Sequence, residues 1–152
     1  MLDPHDHEAC IQQALHDAER ICQERGARLT QQRRHVLELI WRNHDVVTAY
    51  ELLAAMQAHE PRAKPMTVYR ALDFLLENGL AHRIESVNGY TRCETPSATA
   101  SCQFLICDRC GLVEEFHSGA LVDHLETQAE AHGFRVEHHT VEAHGICGGC
   151  DS

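Results

Sequence analysis

Two Cys-x-x-Cys pairs, Cys107-Asp108-Arg109-Cys110 and Cys147-Gly148-Gly149-Cys150, carry the most specific chemistry in this sequence. A two-residue spacer lets both thiolates of a pair reach one cation, and two pairs make a closed tetrahedral S4 set whose softness suits zinc. Gly111, and the two glycines within the second pair, permit tight turns beside the sulfurs. Such a site fastens the chain near 107 to the C-terminal segment and adds folding free energy directly. A thioredoxin-like redox pair needs one exposed Cys-x-x-Cys at a helix N-terminus in a βαβ setting, which neither pair has. An iron-sulfur cluster and a reversible thiol switch are the competing chemistries.

A second group of residues suits nucleic acid. Val68, Ala71, Leu72, Leu75 and Leu76 share one helical face, which leaves Thr67, Tyr69, Arg70 and Asp73 on the other. A helix with long polar side chains on its free face near the N-terminus can enter a major groove. Arg70 can make a bidentate contact to guanine O6 and N7, worth about 1–3 kcal/mol of discrimination. Tyr69 can pack on a thymine methyl or bond a phosphate. On an isolated helix Arg70 would pair with Asp73 or Glu77 instead; the proline break before this helix and the hairpin after it favour DNA.

The elements that must hold these residues follow from spacing and stop signals. Residues 8 to about 25 predict a helix stopped by Gly26, and Thr30 caps a second whose stripe of Val36, Leu37, Ile40 and Trp41 ends near Asn43. Thr48-Ala49-Tyr50-Glu51 has the capping-box form and opens a third helix running to about His59. Pro61 and Pro65 break the chain before the fourth helix, and Asn78-Gly79 ends that one. Ala81 to Glu85, Asn88-Gly89 and Tyr90 to Cys93 predict a hairpin turning at the Asn-Gly pair. Helices followed at once by a hairpin are the order of a winged helix-turn-helix.

Residues 94–101 are small and polar and predict a hinge. Beyond it, Gln103 to Ile106 and Leu112 to Phe116 predict strands, Ala120 to about His132 a helix capped by Ser118, and Phe134 to Val141 a strand with period-two alternation. About 50 residues are too few for a robust core without a staple. The expected fold is α+β: a winged-helix DNA-binding domain over 1–93, the hinge, and a small zinc-stapled α/β domain over 102–152.

The 152 residues include 8 Cys and 13 His and carry a formal charge of −10. No long apolar run or leader-like N-terminus is present, so the expectation is a soluble cytoplasmic protein without membrane contact. Charge is uneven: Arg20 to Arg70 hold 9 basic and 5 acidic groups, whereas 91–152 hold 3 and 10. Only the basic stretch suits a polyanion, and the acidic half is expected to project away from it. No H-E-x-x-H or deaminase-like zinc motif occurs, which argues against a zinc enzyme, catalytic residues or a small-molecule substrate.

Arg28-Leu29-Thr30-Gln31-Gln32-Arg33, Thr48-Ala49-Tyr50-Glu51-Leu52-Leu53, Thr67-Val68-Tyr69-Arg70-Ala71-Leu72 and both cysteine pairs stand in an order that resembles the ferric uptake regulator family of metal-dependent bacterial repressors. Within it the chain is most similar to the zinc uptake regulator branch, and the resemblance covers about Ala18 to Cys150. It implies a homodimer joined through the second domain, Tyr69 and Arg70 at bases, and Lys64, Arg33 and Tyr50 at phosphates. It also implies a regulatory zinc held by His82, Cys93 and Glu115. Relatives often carry a histidine-rich run before the first cysteine pair, where this chain has Ala100-Ser101-Cys102, so Cys102 is the expected fourth ligand and His117 the substitute for Glu115. Two zinc ions per subunit, one structural and one regulatory, and repression of zinc-uptake genes at palindromic operators are the implied cofactors and function. Sensing of iron, manganese, nickel or peroxide is the alternative within the family. A further metal site at His138 or His139 lacks its usual companions.

Overall fold

Local signals build the first four helices. In α1 (His7–Glu24) the positions Ile11, Leu15, Ala18, Ile21 and Cys22 turn inward, and Gly26 at φ +68° follows its end. The Thr30 hydroxyl oxygen accepts from the Arg33 N–H at 3.3 Å and starts α2 (Gln31–Arg42), which buries Val36, Leu37 and Ile40. The Thr48 oxygen likewise accepts from the Glu51 N–H at 3.1 Å to start α3 (Ala49–His59). Only that half of the expected capping box forms as such: the Glu51 carboxylate accepts from the Thr48 hydroxyl, not its backbone N–H. Pro65 opens α4 (Pro65–Glu77), where its missing N–H is one of the unpaired donors anyway. Val68, Ala71, Leu72 and Leu75 set this helix against α2 and α3.

The computed structural model describes residues 7–43, 45–94 and 102–151, which divide into two units meeting at Cys93 and Glu94. Most of the expected hinge, residues 95–101, and His5 lie outside the described residues. The first unit closes with an antiparallel hairpin, β1 (Ala81–Ile84) and β2 (Gly89–Arg92), paired from Ala81↔Arg92 to Ile84↔Gly89. Val47 joins it by exchanging N–H···O bonds of 2.9 and 2.8 Å with Tyr90. The turn differs from the expected two-residue Asn-Gly type. A single 3-10 turn, Glu85–Val87, leads to Asn88 in the left-handed region at φ 49°, and Gly89 is already the first residue of β2. Gly89 is small for another reason: a Cβ there would run into Val46. The result is a winged helix-turn-helix.

The second unit is a three-stranded sheet in the order β4-β3-β5. Central β3 (Gln103–Cys107) runs antiparallel to β4 (Val113–Phe116) and parallel to β5 (Val141–Gly145), with α5 (Gly119–Ala131) in the crossover. Ser118 caps α5 by accepting from the Leu121 N–H at 3.3 Å, and its own N–H satisfies the fully buried Gln103 side chain at 2.8 Å. The last strand is a correction: it begins at Val141, where the expected one was to end. Phe134 instead closes α5, its N–H bonded to the Ala129 carbonyl at 2.8 Å with Gly133 at φ +78°. Phe104, Ile106 and Cys107 are the buried apolar residues here, while Leu121, Leu125 and Phe134 stay exposed.

Candidate metal centres and nucleic-acid interface

Strand pairing brings the two cysteine pairs together. The parallel register ends at Cys107↔Gly145, and the Asp108 N–H continues it to the Gly145 carbonyl at 2.8 Å, which delivers Cys147 beside Cys107. The four sulfurs of Cys107, Cys110, Cys147 and Cys150 lie within 4.8 Å of one another. Zn–S bonds of about 2.3 Å give a tetrahedron with edges of about 3.8 Å; the Cys110 and Cys147 sulfurs stand 3.7 Å apart. Backbone N–H groups of Cys110 and Cys147 pull the Cys107 thiol down to about 6. The sulfurs of Cys147 and Cys110 push Cys150 up to about 12. Four thiolates this close therefore call for a cation, and the donor set fits zinc.

Two interactions around this cluster do not follow from the spacing of the cysteines. The Arg109 guanidinium donates to the Cys150 carbonyl at 2.6 Å, and His144 Nδ1 meets Asp108 Oδ1 at 2.9 Å. The first cross-links the two cysteine turns, and the second ties the first turn to β5. The only sequence signal for them is the charged spacer, Asp108-Arg109, inside the first pair. His144 thus serves this cluster, and among the described residues His138 and His139 join no group of potential ligands.

Each unit also presents a smaller soft-ligand set. In the first, a nitrogen of His82 and the Cys93 sulfur lie within 4.8 Å. The Cys93 N–H bonds to the Leu80 carbonyl at 3.4 Å, so the hairpin ladder fixes the pair. In the second, Cys102, Glu115 and His117 offer ligand atoms within 4.8 Å of one another. Cys102 Sγ is 3.2 Å from Glu115 Oε1, and His117 Nε2 is 3.2 Å from the same oxygen. Sequence alone makes Glu115 and His117 alternatives; in the structure they converge.

On α4, Tyr69 and Arg70 are exposed and Thr67 is half-buried. Among the described residues Arg70 makes no ion pair, so the pairing with Asp73 or Glu77 does not form. Lys64, at the α4 N-cap, and Tyr50, near the α3 N-terminus, are also exposed. Arg33 is more occupied. Its guanidinium stacks 3.9 Å above the Phe74 ring and donates to the Arg28 carbonyl at 2.7 Å. Arg25, for which the sequence suggests no role, donates to the Asn78 carbonyl at 2.8 Å and ties α1 to the end of α4.

A family model described as "Ferric uptake regulator family" matches residues 24–144. The zinc uptake regulation protein of Escherichia coli (strain K12) is 45% identical over 142 residues, covering 91% of this chain and 82% of that protein. A structure of a zinc uptake regulator complexed with zinc and DNA superposes with a TM-score of 0.89 at 44% identity, over 93% of this chain and 95% of that one. Holo XcZur superposes with a TM-score of 0.84 at 46% identity, over 90% and 96%.

Proposed function

The chain belongs to the ferric uptake regulator family, and from that premise we propose that it is a zinc-responsive repressor that binds palindromic operators of zinc-uptake genes as a zinc-loaded homodimer. It is a transcription regulator rather than an enzyme. Residues 1–93 are its DNA-binding domain, residues 94–101 its hinge and residues 102–152 its dimerisation domain. It acts in the cytoplasm, where its operators lie; among the described residues no helix is long and apolar enough to cross a membrane.

The observation that carries the zinc reading is that each unit holds a cysteine-bearing half-set, His82 with Cys93 and Cys102 with Glu115. Two thiolates, an imidazole and a carboxylate make a set softer than iron(II) prefers. A regulatory zinc would be held by His82 and Cys93 together with Cys102 and Glu115, and a second, structural ion per subunit by Cys107, Cys110, Cys147 and Cys150. His82 and Cys93, fixed on the wing, then carry α4 into a single arrangement. Tyr69, Arg70 and Thr67 reach the groove from α4, while Lys64, Tyr50 and Arg33 meet phosphates. Leu121, Leu125 and Phe134, exposed in one chain, supply apolar surface for the second copy. By linkage, operator DNA raises zinc affinity by the factor by which zinc raises operator affinity.

Cys93→Ser tests this reading. The variant should stay folded and dimeric but lose the zinc-dependent rise in operator affinity. An unaltered zinc response would remove Cys93 from the sensing site.

A further inference from the structure

We propose that Cys102, Glu115 and His117 form a zinc-capture site complete within the second unit, with His117 as an entry ligand that gives way when His82 and Cys93 arrive. The proposal rests on the sensing reading above and adds an order of events to it. Five donors are available for an ion that takes four, so one of them must serve another purpose.

Strand register makes the three donors a preformed set. Gln103 pairs with Phe116 and Phe104 with Glu115, so Cys102 and His117 stand one residue beyond the last pair of the antiparallel ladder. Cys102, Glu115 and His117 therefore share one face of the sheet, and nothing in the first unit is needed to assemble them. The Cys102 sulfur and His117 Nε2 each lie 3.2 Å from Glu115 Oε1. Tetrahedral zinc with ordinary S, N and O bond lengths requires donor separations of about 3.3–3.7 Å, a shift of a few tenths of an ångström. A single cation can replace the protons that now link these atoms. Three protein ligands with one open position are a sufficient zinc site. His117 is the exposed member, at the end of β4, and meets an arriving ion first.

The test uses the full-length homodimer with its four-cysteine site filled, and zinc alone as probe in competition with a chelator. His82→Ala/Cys93→Ser should still take up a second ion per subunit, bound more weakly than in the wild type because two of its ligands are gone. Adding His117→Gln to that variant should return the stoichiometry to one. His117→Gln alone should still bind two ions per subunit at saturating zinc but take up the second several-fold more slowly in stopped flow. Two results overturn the proposal: loss of the second ion in a His82→Ala/Cys93→Ser protein that retains its first zinc, or an unchanged uptake rate in His117→Gln. A wild type that binds only one ion would instead overturn the sensing reading beneath it.

Discussion

Replacing Arg70 by alanine separates base reading from folding. The side chain is exposed and forms no ion pair among the described residues, so its removal leaves no buried partner unpaired. Exposed changes of this kind stay within about 0.5 kcal/mol of the parent stability. For a unit of this size that moves Tm by less than about 4 °C. Removing one bidentate guanine interaction costs about 1–3 kcal/mol per recognition helix. Each 1.4 kcal/mol is tenfold, so the change at a single half-site weakens operator binding by about 5- to 140-fold. Fluorescence anisotropy with labelled operator at saturating zinc and fixed salt measures this directly, and a scrambled duplex gives the non-specific baseline. Because the dimer carries the change on both recognition helices, a palindromic operator should lose affinity by about that factor at each half-site while the scrambled duplex changes far less. Equal weakening on both duplexes would make Arg70 a phosphate ligand, and no weakening would take α4 out of the groove.

Lys64→Ala should weaken operator and scrambled DNA alike and flatten the salt dependence of log K by about 0.9 for each phosphate no longer neutralised. Cys147→Ser should strip the second unit of its staple. Structural zinc contributes about 10–16 kcal/mol, as much as the whole stability of an ordinary domain, so hydrogen exchange should accelerate across 102–151 while the core of α1 to α4 keeps its protection. Gly89→Ala forces a methyl against Val46 and should destabilise the first unit by about 1–3 kcal/mol, read as a lower unfolding midpoint in urea.

The helices are legible in the sequence because their signals are local. Thr30, Thr48, Pro65 and Gly79 act within one turn of themselves, and the stripes of α2 and α4 repeat at a fixed spacing. The four cysteines are legible for the same reason: each pair is a short motif, and the doubled pair specifies its chemistry. The features that escape a sequence reading depend on partners distant along the chain. Alternation from Phe134 suggests a strand, but a strand exists only where β3 offers a ladder, which is from Val141 onward. Gly89 has the look of a turn residue, yet its constraint comes from Val46, some forty residues earlier. Glu115 and His117 stand as alternatives in the sequence because their shared approach to Cys102 follows from the Gln103↔Phe116 register, which no local pattern encodes. Arg33 has the charge expected of a phosphate ligand, and its stacking on Phe74 becomes visible only when α2 and α4 are packed.

The most direct measurement of the central claim is operator affinity of the full-length dimer titrated against buffered free zinc and, separately, buffered iron(II), with the four-cysteine site filled throughout. Operator affinity should rise steeply as zinc fills one further site per subunit, the rise should be abolished in Cys93→Ser, and iron(II) should give little rise at matched free concentration. Operator binding that ignores zinc, or answers equally to iron(II), would contradict that claim.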